Sequence, residues 1–270
     1  MTFGARLHAA IEARGPFCVG IDPHAALLHG WGLDDDVAGL ERFALTVVEA
    51  VAPHVSVVKP QSAFYERFGS RGVAVLERVI AESRSAGALV LLDVKRGDIG
   101  STSQAYADAY LDPTSPLASD AITASPYLGF GSLDPMIDTA RKHDAGVFVL
   151  ALTSNKEGPE VQHARADDGG TVAGGVLAHL RRLNADATPL GSFGAVIGAT
   201  IGDVEEDFAF NGPILAPGYG AQGGTTADLR RIFGADPAVL PSSSREVLAV
   251  GPDVAAMRDA VRRTNDELRS

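Results

Sequence analysis

Residues 88–102 read ALVLLDVKRGDIGST, an apolar run that ends in Asp93, Lys95 and Asp98. A run of Leu and Val of this length is the mark of a strand covered on both faces, as in a parallel sheet. The pattern over 101–111 suits a helix, so the stretch reads as a βα unit. Successive strand side chains alternate faces, which puts Asp93 and Lys95 on one side and Val94 on the other. Asp98 follows Gly97 just past the strand. Two carboxylates and an ammonium therefore collect at a strand's C-terminal end, where parallel-sheet enzymes place their chemistry. Taken alone, the same residues also suit a strand-end ion pair with Asp98 capping the next helix.

Outward from this unit the βα pattern recurs. Before it come a helix over 3–14, a strand over 17–23, a helix over 40–51, a strand over 55–61 and a helix from 63 to its stop at Gly87. Asp22 shares a strand face with Cys18 and Gly20, though an Asp before Pro is also a common turn former. Lys59 shares its face with Val55 and Val57, and its other reading is a solvated loop lysine. After the unit come strands over 120–127, 146–153, 193–200, 213–217 and 238–245. Helices are expected over 134–143, 172–184, from about Asp203, after Thr225 or Thr226, and over 254–268. The polar segment 154–170 is longer than a usual βα connection and is expected to be a mobile loop over the site.

Residues 213–226, PILAPGYGAQGGTT, carry an apolar strand into Gly218, Gly220, Gly223 and Gly224. Glycine lets backbone N–H groups approach an anion, and a helix N-terminus adds favourable potential, so this loop reads as a phosphate cradle or a plain flexible turn. Arg245 follows the last strand, where a guanidinium could clamp a phosphate or simply face solvent. Eight strand-like runs predict a single-domain (β/α)8 TIM barrel over 1–270, with a doubly wound open sheet as the alternative. In a barrel Asp22, Lys59, Asp93, Lys95, Ser125, the Gly218 loop and Arg245 fall on one rim, the phosphate-like elements after strands seven and eight.

The bulk properties narrow the class. The chain has 270 residues, 46% hydrophobic content and a net charge of −11, which suits a globular enzyme and argues against a general nucleic-acid binder. No apolar run is long enough for a membrane span and 1–15 lacks a signal-peptide core, so a cytoplasmic protein is expected. The one cysteine, Cys18, excludes an intramolecular disulfide and a cysteine metal cluster, and reads as a packed core thiol.

The combination Asp93-x-Lys95-x-x-Asp98-Ile99, Lys59 in VVKPQSAFYE, Asp22 in GIDP, and APGYGAQGG before a late Arg245 resembles the orotidine 5′-phosphate decarboxylase family. SAFYE and SPYLGF resemble its longer bacterial subgroup. The resemblance implies a homodimeric barrel that converts orotidine 5′-phosphate to UMP with no metal and no cofactor. It implies Lys95 as proton donor to C6, Asp93 beside the substrate carboxylate, and Lys59 holding the charge array and contacting the ribose. By the same resemblance Asp98 and Thr102 reach across the dimer, Asp22 binds a ribose hydroxyl and Ser125 meets the pyrimidine edge. Gln222 with Arg245 belongs to the phosphate side, and Pro217, Gly220 and Gly223 join the substrate-binding set. The rival readings are a magnesium-dependent sugar-phosphate lyase, a non-catalytic phosphate-binding barrel, and a Schiff-base aldolase using Lys95.

Overall fold

The structure is a computed structural model and describes residues 1–270 except 168, 203 and 235–237. Among the described residues, eight parallel strands close into one barrel in chain order. Its first half is α1 (Phe3–Arg14), β1 (Cys18–Ile21), α2 (Ala25–Gly30), α3 (Val37–Val51), β2 (Val57–Pro60), α4 (Ala63–Glu66), α5 (Gly69–Ser85), β3 (Leu89–Arg96), α6 (Gly100–Leu111) and β4 (Ala121–Ala124). The second half is α7 (Asp134–Lys142), β5 (Gly146–Leu152), α8 (Pro159–Gln162), α9 (Val172–Leu183), β6 (Phe193–Ile197), β7 (Ile214–Pro217), α10 (Thr226–Phe233), β8 (Val239–Ser243), α11 (Arg245–Leu248) and α12 (Val254–Arg269). The pairs Cys18↔Ser242 and Val19↔Ser243 join β8 to β1. The sheet is thus the expected (β/α)8 barrel and not an open doubly wound one.

The strand period of two sorts the apolar residues into two cores. Val19, Val58, Val90, Leu92, Val94, Ile122 and Val147 face outward and pack with the helices. Cys18, Val57, Leu91, Ala121, Phe148, Val196, Leu215 and Leu240 face inward. Cys18 is fully buried there, and burial pushes its thiol up to about 12, so it is the packed core residue expected.

One helix is used differently from the others. The α1 residues Phe3 and Leu7, a turn apart on one face, join the inner cluster. The Phe3 ring meets Phe148 edge-on with centroids 6.0 Å apart. Thr2 caps this helix by accepting from the Ala5 N–H. Buried Asp120, just before β4, ties α1 to the sheet by accepting from Arg6 and from the Val90 N–H. The N-terminal mouth of the barrel is therefore sealed with apolar side chains.

Three expectations on elements are corrected. The helix expected from 63 to Gly87 is broken between α4 and α5, because Gly69 adopts a left-handed φ of 65° that a continuous helix does not allow. The strand expected over 193–200 stops at Ile197. Of the helix expected from about Asp203, that residue lies outside the described residues, and 204–212 is irregular. Its polar groups are spent on α9: Arg181 binds the Ala209 and Asp207 carbonyls, and Glu206 accepts from Thr171.

Emptying the plug tests the sealing role of α1. Phe3→Ala is expected to cost about 3–5 kcal/mol in urea unfolding, the usual loss for a buried Phe truncated in a core. A loss below about 1 kcal/mol would show that the helix packs without sealing the barrel.

Candidate active site

The C-terminal mouth is polar, and β2 and β3 supply its centre. Lys59 near the end of β2 and Asp93 on β3 are each about 5% exposed, at 6% and 5%. Neither charge would be stable there alone. The Lys59 Nζ lies 3.2 Å from Asp93 Oδ2, and the Lys95 Nζ lies 2.7 Å from Asp93 Oδ1. One carboxylate is thus held between two ammonium groups.

The titration behaviour follows from this clamp. Burial works to raise the Asp93 carboxyl, but attraction to Lys59 and Lys95, with hydrogen bonds from Lys95 and Thr123, outweighs it and brings the group down to about 2. Burial likewise works against the Lys59 ammonium, yet the Asp22 and Asp93 carboxylates hold it above the ordinary lysine range. Each charge keeps its neighbour ionised.

Two residues that the sequence reading passed over complete the cluster. Thr123, on β4, donates its hydroxyl to Asp93 Oδ1 at 2.7 Å and accepts the Lys95 backbone N–H at 2.9 Å. Gln61 donates from Nε2 to the Asp93 carbonyl at 3.2 Å, while its Oε1 accepts from Lys95 Nζ at 3.4 Å. Both carried a signal. Gln61 follows Lys59 by two, and Thr123 lies two residues from Ala121 on the inward face, so period-two alternation marks each as mouth-facing.

A cavity of about 330 Å³ opens above the cluster, lined by Asp22, Lys59, Asp93, Lys95, Pro217, Gln222 and Arg245 among others. Leu150, Leu152, Val196 and Leu215 supply its apolar part. One oxygen of Asp22, Oδ1, is buried without a hydrogen-bond partner. Gly20 makes room for this carboxylate, since a Cβ there would stand 2.9 Å from Asp22 Oδ2. The segment after β5 contributes Thr153, Ser154 and Asn155, so the 154–170 loop does begin over the site. Gln162 then ties α8 back to Thr153 with bonds of 2.9 and 2.6 Å.

The glycine loop is built otherwise than the cradle reading expects. The N–H groups of Gly220, Gly223 and Gly224 bond to the carbonyls of Gly224, Gly220 and Gly218. Those glycines shape the turn, with left-handed φ of 98°, 69° and 95° at Gly218, Gly220 and Gly223. The N-terminus of α10 is met by its own capping box of Thr225 and Asp228, so its potential is satisfied by a carboxylate of the chain. What the loop presents to the cavity is Pro217, Gly218, Tyr219, Ala221 and Gln222, opposite Arg245. Gly220 and Gly223 line the far side of the loop, beside Glu246 and Glu267.

The remaining sequence candidates stand apart from the cavity. Ser125 is half-buried just after β4, where its N–H donates to the Arg96 carbonyl at 2.8 Å. Asp98 accepts from the Ile99 N–H at 2.8 Å, and Thr102 is exposed on α6. Neither lines the cavity of its own chain. Among the described residues, no group of three or more His, Cys, Asp or Glu is placed to hold a metal ion.

Lysine on the second strand, the Asp93-x-Lys95 pair on the third and an arginine after the eighth now share one cavity. The profile of the orotidine 5′-phosphate decarboxylase / HUMPS family matches residues 15–260. This chain belongs to that family. An orotidine 5′-phosphate decarboxylase of a Nocardioides strain is 80% identical, covering 99% of both chains. One from Streptomyces coelicolor is 63% identical, covering 99% of this chain and 97% of its own. A crystal structure from Streptomyces avermitilis, 63% identical, superposes with a TM-score of 0.97 over 99% of this chain and 95% of that one. An OMP decarboxylase of Leishmania donovani, 31% identical, superposes at 0.78 over 100% and 98%.

The clamp has a signature in stability. Because the Asp93 carboxyl is depressed in the folded state, its contribution is present above the unfolded value of about 3.9 and is lost as pH falls through about 2. Urea unfolding across pH should therefore show wild type falling more steeply than Asp93→Asn below about pH 4, with a constant difference from about pH 5 to 8. Parallel curves would mean that Asp93 is not held ionised by its neighbours.

Proposed function

We propose that this chain is a carboxy-lyase that converts orotidine 5′-phosphate to UMP in pyrimidine nucleotide synthesis, without metal or organic cofactor. The observation that carries the reading is Asp93 clamped between Lys59 and Lys95 at the mouth, with Arg245 and Gln222 on the same cavity. Loss of carbon dioxide from C6 leaves the bonding electron pair on a carbon with no electron sink. Stabilisation must then come from fixed charges aimed at that carbon, and this is the kind of catalysis in which electrostatics dominates.

The residues divide the work by position. Asp93 faces the substrate carboxylate, whose departure as neutral carbon dioxide relieves the contact between like charges. Lys95, at the open side of the clamp, gives its proton to C6 as the bond breaks and regains one from water. Lys59 keeps Asp93 ionised and meets the ribose. The partnerless Oδ1 of Asp22 suits a ribose hydroxyl, a donor it lacks in the free chain. Arg245 and Gln222, with Pro217 and Gly218 at the cavity edge of the turn, hold the phosphate. Barrier lowering in enzymes spans about 8–23 kcal/mol, and a reaction without an electron sink draws on the upper part.

A homodimer is part of the reading. Asp98 and Thr102 lie outside their own cavity, and Ile99 after β3 and Tyr127 and Leu128 after β4 expose 62%, 77% and 52% of their surface. Large apolar side chains standing that far out suit a protein interface. In the dimer Asp98 and Thr102 enter the neighbouring site, and Asp98 extends the array to Lys59, Asp93, Lys95 and Asp98 with alternating sign. Among the described residues no helix is long and apolar enough to cross a membrane. We place the protein, one domain over 1–270, in the cytoplasm.

A magnesium-dependent lyase is disfavoured because two ammonium groups flank the central carboxylate and repel a divalent cation. Turnover of orotidine 5′-phosphate, followed by loss of its absorbance, should be unaffected by EDTA and abolished by Lys95→Ala. Turnover lost to EDTA and restored by magnesium would overturn the cofactor-free reading. Mixing Asp98→Asn and Lys95→Ala subunits should recover activity that neither has alone; no recovery in mixed dimers would place Asp98 in its own chain's site.

A further inference from the structure

Thr123 is 1% exposed and sits where β3 and β4 fall out of register. Leu92 pairs with Ile122, but the next pair is Arg96 with Ala124, so four residues of β3 advance against two of β4. The three β3 residues between those pairs, 93–95, face the single β4 residue Thr123, and they are the ones that carry the chemistry. Such a bulge re-aims side chains and leaves ladder groups without their regular partners. Lys95 within it has a φ of 46°, a left-handed conformation that a non-glycine residue adopts only where its surroundings impose it.

The Thr123 hydroxyl sits against this turn. It accepts the Lys95 N–H at 2.9 Å, replacing the strand partner that the bulge removes. It donates to Asp93 Oδ1 at 2.7 Å, and that same oxygen accepts from the Lys95 Nζ at 2.7 Å. A backbone N–H can only donate and an ionised carboxylate can only accept, so the hydroxyl proton has one possible direction. The bonds form a closed ring: Lys95 N–H to Thr123, Thr123 to Asp93, and the Lys95 ammonium back to Asp93.

We propose that Thr123 is the positioning residue of this site, holding the Lys95 backbone in its left-handed turn and the Asp93 carboxylate in the orientation that receives the Lys95 ammonium. Resting on the charge-array reading above, it adds the device that sets the array's geometry. Valine has the shape of threonine without the hydroxyl, so it removes the ring and little else. A misplacement of about 1 Å can cost about a hundredfold in rate.

The test is steady-state kinetics with orotidine 5′-phosphate on Thr123→Val, Thr123→Cys and Thr123→Ser, beside Lys95→Ala, with UMP affinity and thermal midpoints measured for each. We expect kcat to fall about ten- to a hundredfold in Thr123→Val, with KM and the UMP Kd within about threefold. Thr123→Ser should restore kcat to within about threefold of wild type, and Thr123→Cys, a weaker donor, should fall between. The acid limb of the kcat profile should move to higher pH in Thr123→Val, because the carboxylate loses a bond that favours its charged form. A purely structural threonine would lower the thermal midpoint of Thr123→Val and leave kcat and the pH profile unchanged, which overturns the proposal. Should Thr123→Val not fold, equal kcat in the Cys and Ser variants overturns it equally. An active Lys95→Ala would instead refute the array reading.

Discussion

Everything at the mouth of this barrel depends on one carboxylate held between two ammonium groups. Asp93 and Lys59 could not be buried at the end of a sheet as separate charges, because burying an ion is costly unless a partner replaces its water, and the exposed Lys95 closes the clamp from the open side. Their mutual contacts of 3.2 and 2.7 Å make the cluster self-consistent, and they let a protein of net charge −11 present cations to an anionic ligand. Lys59 and Asp93 are delivered by adjacent strands, so the pairing of β2 with β3 sets their separation.

That arrangement places demands on the rest of the molecule. One mouth must be dry and sealed, which α1 achieves with Phe3 and Leu7 against Phe148. The other must stay open and polar. The two halves of the barrel then differ in kind at that mouth. Strands β1 to β4 bring Asp22, Lys59, Asp93 and Thr123, while β5 to β7 bring Leu150, Leu152, Val196 and Leu215, with the glycine turn and Arg245 beyond them. A ligand with a charged reacting end, a flat apolar body and a remote anion matches that division. The bulge that carries Lys95 is the point of strain in this design, placed where fixed geometry matters to chemistry.

Much of this was legible before any coordinates. Alternation alone put Asp93 and Lys95 on one face and Val94 on the other, and both placements hold. The glycine turn was recognisable as a turn, but not the purpose of its N–H groups. Those of Gly220, Gly223 and Gly224 are spent inside the loop, a matter of pairing that residue type does not encode. Helix patterning missed the break at Gly69 for a related reason, since one left-handed residue interrupts a helix without altering its amphipathic spacing. For Thr123 and Gln61, alternation marks a side chain as mouth-facing but does not say which partner its polar group meets there.

By itself the sequence determined the repeated βα units, the inward and outward faces of each strand, and the charged residues that end on the rim. These follow from local periodicity and from the cost of burying charge, which act over a few residues. Only the tertiary structure decided the register slip between β3 and β4, the ring of bonds through Thr123, the orphaned oxygen of Asp22 and the self-capping of the α10 N-terminus. The register slip and the Thr123 ring depend on residues about thirty positions apart meeting across neighbouring strands. Which partner a polar group finds is settled by the closure of the barrel and the packing around it.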